Sequence, residues 1–321
     1  MRERSAIPDP DIDREEEAWW NDNAATIESI WAMSKVVRPA VRSRYLKRAR
    51  DFFLDGLKER PGRVLEVGCG SGWLSRIIAD RERLHVIGLD IAAEQIRLAK
   101  ENAAAAGLSD VCEYRAQNLA DFTVNDAGSV SCVFIHAILH HLSWQEIHSV
   151  LGQLKALGAG TKLFVYEPVY LSDPDGGPLP ETPEAVAARA LAETPLLAAK
   201  RFQKMFRPTR DMALVKKVES LAVSAHKLGR ILSPKEVVFR ESELLGALGE
   251  IGEVTERYLC NFTSMSVSQI ATTFTSSLLQ RLFCATVLKQ AQRVDQELFE
   301  KNLFPLITRQ YAFMGYHCLI R

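Results

Sequence analysis

The stretch Arg63-Val-Leu-Glu-Val-Gly-Cys-Gly-Ser-Gly-Trp73 constrains the fold of this chain more than any other. Val64, Leu65 and Val67 form a short apolar run that reads as a buried strand of a parallel sheet. Gly68, Gly70 and Gly72 follow at alternate positions, and Leu74, Ile77 and Ile78 then fall at helical spacing. The order is strand, glycine turn, helix. Glycine tolerates positive φ and lets a ligand approach the backbone, and the helix beyond offers free N–H groups and a positive dipole end. The spacing G-x-G-x-G departs from the dinucleotide fingerprint G-x-G-x-x-G, whose third glycine would fall at Trp73.

Two carboxylates narrow the ligand. Glu66 ends the strand just before the turn, where it would repel a pyrophosphate and suits a cation. Asp90 closes a second short strand, Leu84 to Asp90, eighteen residues past Gly72. That is where a carboxylate accepts hydrogen bonds from ribose hydroxyls. A ligand with a ribose, a positive end and no phosphate is suggested. Glu66-Val-Gly-Cys-Gly-Ser-Gly72 with Asp90 resembles the first two motifs of the class I S-adenosylmethionine (SAM)-dependent methyltransferases. The resemblance covers roughly Leu57 to Pro168 and, more loosely, Glu241 to Cys260. It implies a Rossmann-like α/β fold with a seven-stranded sheet and SAM as cofactor, leaving S-adenosylhomocysteine. It implies cofactor contacts from Glu66, Gly68, Cys69, Gly70, Gly72, Asp90, Ile91, Gln95, Gln117, Asn118, Leu119 and Ile135. Asn118 stands where the family usually has an Asp for the adenine amino group, and its amide oxygen can accept the same bond. His136-Ala-Ile-Leu-His140-His141-Leu142 resembles the fourth motif, although Ser131 replaces the Asp that usually opens its strand.

Composition excludes several function classes. Lys+Arg and Asp+Glu balance at 40 each, so no global field favours nucleic acid or an anionic membrane. No apolar run reaches the length of a membrane span. The N-terminus lacks the apolar core of a signal peptide. Six scattered cysteines with no C-x-x-C read as reduced, mostly buried thiols, which carries the expectation of a cytoplasmic protein. A small-molecule acceptor is the expected partner, with the protein a monomer or homodimer.

At 321 residues the chain exceeds one minimal domain. Residues 1–60 read as an N-terminal helical arm or lid, with 1–13 a loose segment and Pro39 an interruption. Residues 61–170 form the SAM-binding core, whose fifth strand finishes at Glu167-Pro168. Residues 171–238 read as a helical cap insertion, broken at Pro195 and Pro208, with a hinge at Pro174 to Pro180. Residues 239–321 return to the core with strands six (Val254 to Cys260) and seven (Tyr311 to Ile320), separated by a helical insertion at 264–308. Trp19, Trp20 and Trp31 either pack the arm on the core or line the acceptor pocket, and His140 and Tyr170 are further pocket candidates. The stripe Ile270, Phe274, Leu278, Leu282 and Phe283 reads as core-facing. Arg38 to Arg50 is a basic run, read as a solvated face or an anion contact.

Glu66, Asp90, Asn118, His136 and Glu167 each fall at the carboxyl end of a strand, where open parallel sheets bind ligands. His136 is the candidate general base, with pocket lining as the alternative. Glu167 either assists proton transfer or caps a loop. No metal is expected: His140 and His141 are adjacent and read as pointing apart, without a supporting thiolate or carboxylate pattern. No Asn/Asp-Pro-Pro-Tyr/Phe follows the fourth strand, which argues against the nucleic-acid and protein amino-methylating types that use it. The reading is metal-independent methylation of O or N on a small molecule such as a secondary metabolite. The alternatives are methylation of RNA or protein through the basic run, or SAM binding without methyl transfer.

Overall fold

The computed structural model describes residues 4–32, 36–59, 62–118, 122–123, 128–206, 233, 235–271, 274 and 276–321. Leu119 and Pro208 lie outside them, as do the side chains of Trp31, Arg38, Arg42 and Arg44. One sheet organises the rest. Its strands are β1 (Arg63–Val67), β2 (Val86–Asp90), β3 (Cys112–Ala116), β4 (Val130–His136), β5 (Lys162–Tyr170), β6 (Phe239–Arg240), β7 (Gly252–Asn261) and β8 (Tyr311–Ile320). The order is β3-β2-β1-β4-β5-β8-β7, with β6 paired to the end of β5. Strands β1 to β5 are parallel, and β8 runs antiparallel to both neighbours.

The sheet thus has eight strands where seven were expected, the extra one being the two-residue β6. Strand β5 also runs through Pro168 to Tyr170. Strand β4 ends at His136, opposite Tyr166, so Pro168 has left the shared ladder on that side while β8 continues on the other. A proline without an N–H is tolerated at such an open edge.

The alternation of side chains explains why β1, β4 and β5 carry apolar residues toward both faces. Leu65, Val67, Val133, Ile135, Leu163 and Val165 face one layer, against α5 (Trp144–Lys155) and α7 (Glu241–Gly249). Val64, Cys132, Phe134, Phe164 and Tyr166 face the other, against α2 (Val37–Glu59), α3 (Trp73–Glu82) and α4 (Ala93–Ala105). Pro39 sits in the first turn of α2, where a missing N–H costs nothing. Helix α5 opens with the Ser143/Glu146 capping box that its sequence predicts.

The additions form two bodies of different character. Helix α1 (Pro10–Ala32) belongs to the arm. Residues 4–9 ahead of it are not loose: Arg4 Nη1 donates to the Leu139 and Leu142 carbonyls (3.1 and 2.5 Å), and Trp144 N and Gln145 N donate to the carbonyls of Ser5 and Ala6. The second body joins α6 (Pro183–Phe206), α8 (Thr263–Ala271), α9 (Ser277–Phe283), a π-helical turn (Cys284–Leu288), α10 (Lys289–Glu300) and α11 (Phe304–Ile307). Its core is Ala199, Val267, Ala271, Phe274, Phe283 and Leu288, with Val41 of α2. Helix α6 runs unbroken through the buried Pro195, because packing there outweighs one lost hydrogen bond. The predicted stripe divides: Phe274 and Phe283 are buried, whereas Leu278 and Leu282 are 74% and 45% exposed.

Candidate active site

Strands β2 and β3 lie on one side of β1, and β4 and β5 on the other, so the chain reverses direction across the sheet between β1 and β4. A crevice outside the carboxyl ends is built by that reversal. A cavity of about 290 Å³ occupies it.

The glycine loop forms its floor. Gly68, Gly70 and Gly72 all have positive φ (72°, 52° and 69°), but only one leaves room for a ligand. A Cβ at Gly68 would lie 2.8 Å from Ile138, and one at Gly72 would lie 2.5 Å from the Tyr114 hydroxyl. At Gly70 the nearest atom would be Gln95 Oε1 at 3.8 Å. Gly70 and Gly68 line the cavity together with Cys69, whereas Gly72 serves the packing of Tyr114 beneath the loop.

Both carboxylates face this floor. Asp90 Oδ2 accepts from Gly70 N (2.8 Å) and Oδ1 from Ala92 N (2.9 Å), which fixes the group and leaves each oxygen a free lone pair. Burial raises its pKa against those two bonds. Burial likewise pushes the Glu66 carboxyl up to about 8, although Ser75 Oγ donates to it. Glu66 is therefore protonated at neutral pH, and an arriving cation would favour its ionised form.

His136 stands at the opposite wall. Its ring stacks on Tyr166, with centroids 4.5 Å apart and planes 2° from parallel, and Tyr166 stacks in turn on Phe313 at 5.2 Å. The next residue, Ala137, has φ 55° and donates its N–H to the Tyr166 carbonyl (2.7 Å). This left-handed kink turns the chain away from the sheet and leaves His136 lining the cavity.

Helix α1 supplies the roof through Asp13, Glu16 and Trp20. Buried Glu16 gathers four donors: Oε1 meets Trp20 Nε1 (2.7 Å), His141 Nδ1 (2.8 Å) and Ser233 Oγ (2.6 Å), and Oε2 accepts from Lys235 N (2.8 Å). Burial alone would raise its pKa, but His141, Ser233 and Lys235 bring it down to about 2. Lys235 Nζ also bonds Asp13 and Glu146. Farther along the helix, Asn21 Oδ1 accepts from Glu94 N (3.0 Å) and so caps α4.

The cavity brings together Glu66, Gly68, Cys69, Gly70, Asp90, Ile91, Gln95, Asn118, His136 and Trp20 of the sequence-predicted residues. Others lie elsewhere. Ile135 is buried within the sheet, and Gln117 contributes its N–H to the Asp90 carbonyl. Trp19 packs edge-on to Trp20 behind the roof, and Tyr170 meets Tyr311 at the far end of β5. Glu167 does not reach the cavity. It is fully buried, its Oε1 accepts from Ile138 N and Leu139 N (2.9 and 2.7 Å), and its Oε2 lies 2.7 Å from His140 Nδ1. It caps the 3-10 turn Leu139–His141. His140 packs behind the wall, and its neighbour His141 takes the lining position.

Sequence reasoning missed Asp13, Glu16, Trp73, Ile138, His141 and Lys235 as lining residues. Glu16 had a signal, since it lies four residues before Trp20 and so on the same face of the helix. Lys235 had none, because its partners are more than 80 residues away. The insertion at 171–238 reaches the cavity, among the described residues, only through Lys235, and no residue of α6 or α8–α11 lines it. The expected hinge is fastened: Arg240 pairs with Asp173 and Asp175 (3.1 and 2.8 Å), and Ser172 Oγ donates to the Thr308 carbonyl (2.7 Å).

Residues 64–158 match a family model described as a methyltransferase domain. Among curated relatives, 24-methylenesterol C-methyltransferase 2 of Arabidopsis thaliana is 27% identical over 142 residues, which is 43% of this chain and 39% of that protein. A ubiquinone biosynthesis O-methyltransferase of Xanthomonas axonopodis pv. citri is 34% identical over 86 residues, 27% of this chain and 35% of the relative. The chain spans less than half the length of either relative. Among solved structures, a geranyl diphosphate C-methyltransferase from Streptomyces coelicolor A3(2) covers 86% of this chain and 76% of its own, at a TM-score of 0.46 and 12% identity. No described helix is long and apolar enough to cross a membrane. The strand, glycine loop and following βα units of residues 64–158 are thus similar to a methyltransferase domain.

Proposed function

We propose that this protein transfers the methyl group of SAM to an oxygen or nitrogen atom of a small molecule, with His136 as the base for a hydroxyl acceptor. One observation carries the reading: Asp90, Glu66 and the open backbone at Gly70 share a single cavity with His136. Asp90 would accept from the ribose hydroxyls. Glu66 would face the cationic amino end, with Gln95 and Asn118 completing the cofactor's contacts. Methyl transfer is a displacement at an already activated carbon, so the protein's main task is alignment of acceptor and sulfonium in a site closed to water. The roof of α1 supports a small acceptor, because Trp20 and Glu16 line the cavity from the arm itself. Arg48 of the basic run is engaged within the chain, paired with Glu256 (2.7 Å) and lying over the Tyr258 ring. That favours the small-molecule reading over an RNA or protein acceptor.

The test has two parts. Calorimetry with S-adenosylhomocysteine should show tight binding that Asp90→Ala weakens by about 1–3 kcal/mol, the scale of bonds to a charged group. A panel of hydroxyl and amine acceptors with labelled SAM should then identify a substrate. For a hydroxyl acceptor, His136→Ala should lower kcat by about 10²–10⁴ with cofactor affinity unchanged. A loss below tenfold would make His136 pocket lining.

A further inference from the structure

At the wall of the cavity, which His141 lines, two imidazoles and a carboxylate converge. His140 and His141 lie on the turn after β4, and Glu236 on the segment entering β6. The two rings do not point apart as their adjacency suggests: their centroids are 4.0 Å from one another. His140 Nε2 is 3.9 Å from Glu236 Oε1, and His141 Nε2 is 3.8 Å from the same oxygen. The three potential ligand atoms all lie within 4.8 Å of one another, and all three residues are buried.

The other nitrogen of each ring is already held. His140 Nδ1 lies 2.7 Å from Glu167 Oε2, and His141 Nδ1 lies 2.8 Å from Glu16 Oε1. A carboxylate on Nδ1 fixes that nitrogen as the donor and turns the Nε2 lone pair outward, which is how metal-binding histidines are oriented. Two independently oriented imidazoles aimed at one carboxylate oxygen are therefore a site rather than a chance cluster.

We propose that His140, His141 and Glu236 bind a divalent first-row transition-metal ion. Two imidazole nitrogens with one carboxylate suit Zn²⁺ or Fe²⁺, whereas Mg²⁺ and Ca²⁺ call for oxygen ligands. Bonds of about 2.0–2.1 Å in a tetrahedral site set neighbouring ligands about 3.3 Å apart. The two nitrogen–oxygen distances would contract by about half an ångström from their present 3.8–3.9 Å, and the ring nitrogens, within 4.8 Å of one another, would close by small rotations of the two imidazoles. The charges agree. Glu16, Glu167 and Glu236 place three buried carboxylates around two imidazoles, and a divalent ion offsets most of that charge when both rings are neutral ligands. The ion would also act as a clasp. Its ligands and their carboxylate supports come from α1, the turn after β4, β5 and the segment before β6, so one ion fastens the roof to the core. This proposal is independent of the methyl-transfer reading, and its test uses no turnover.

The protein, without a histidine tag, would be stripped with a chelator, shown by circular dichroism to remain folded, and titrated with Zn²⁺ and with Co²⁺. One equivalent should bind, with a visible Co²⁺ spectrum of low coordination number, and Zn²⁺ should raise Tm. Glu236→Gln should remove the Tm rise and weaken Zn²⁺ binding at least tenfold. Glu16→Gln and Glu167→Gln, which support the ligands, should each weaken it by about 10–100-fold. His148→Ala, at an exposed histidine, should change nothing. Uptake well below one equivalent by the folded, stripped protein would overturn the site. So would equal Zn²⁺ affinity in wild type and Glu236→Gln, and binding of Mg²⁺ in preference to Zn²⁺ would overturn the ion class.

Discussion

The arm and the helical body both sit near the carboxyl edge of the sheet, yet they are held by different balances of polar and apolar interaction. Helix α1 is fixed over the cavity by a polar network in which Glu16, buried, serves four donors. Helices α6 and α8–α10 are fixed mainly by apolar packing around Phe202, Phe274 and Phe283, whose rings meet at 5.1–6.0 Å, with the buried Asp295 of α10 accepting from Phe262 N, Thr263 N and Ser264 N at the start of α8, and they do not line the cavity. Apolar packing is non-directional and stabilises by area, whereas a buried carboxylate is stabilised only while every partner is in place. The helical body thus serves stability, and the roof serves the site.

The largest effect should come from the body. Phe283 is fully buried among Phe202, Phe274 and Leu288, so Phe283→Ala should cost about 3–5 kcal/mol in urea unfolding. S-adenosylhomocysteine affinity in the folded variant should hold within a factor of two or three. A loss of affinity as large as the loss of stability would mean that the two bodies are coupled after all.

Glu16→Ala breaks the roof instead. It leaves Trp20 Nε1, Ser233 Oγ and Lys235 N without their acceptor, at a cost of about 2–3 kcal/mol. The signature is local. Hydrogen exchange should rise across residues 10–24 and leave residues 183–200 as in wild type. Equal exposure of both segments would end the distinction between roof and body.

How much of this was legible follows from the range of the interactions. Strand β1, the glycine loop, Asp90 and the capping box at Ser143 are local patterns, and the sequence predicted each near its observed place. The strand β5 extension depends on β8, some 145 residues away, and could not be read locally. The same holds for Glu167: a carboxylate at a strand end looks like a site residue until the folded chain brings the N–H groups of Ile138 and Leu139 to it. Helix α6 of the cap expected at 171–238 packs in the helical body and does not line the cavity, because apolar periodicity says that a helix buries a face and not which partner it meets.

A pH dependence sharpens the contrast within the core. Glu66 keeps its proton in the folded chain up to about pH 8, while the unfolded chain loses it near the ordinary carboxyl value. Unfolding between these values releases a proton, so this group's contribution is fully present at low pH and is lost as pH rises toward 8. The slope should approach about 1.4 kcal/mol per pH unit at most. Glu66→Gln, neutral in both states, should lack that component when urea midpoints are compared between pH 5 and 8. Parallel profiles for the two proteins would place an ionised Glu66 in the ligand-free site.

The smallest effect separates two roles of one side chain. Trp20 presents an aromatic face to the cavity and ties its indole N–H to Glu16. It also meets His141 edge-on, with centroids at 5.6 Å. Trp20→Ala removes both roles and should weaken S-adenosylhomocysteine binding by about 0.5–1.5 kcal/mol, the scale of one aromatic contact. Trp20→Phe keeps a ring and loses only the N–H. If the roof acts by covering the ligand, calorimetry should find Trp20→Phe close to wild type. If it acts by holding Glu16 and through it the turn at His141, Trp20→Phe should match Trp20→Ala, and hydrogen exchange at residues 10–24 should rise in both. Ligand binding and exchange must therefore move together under the second account and separate under the first.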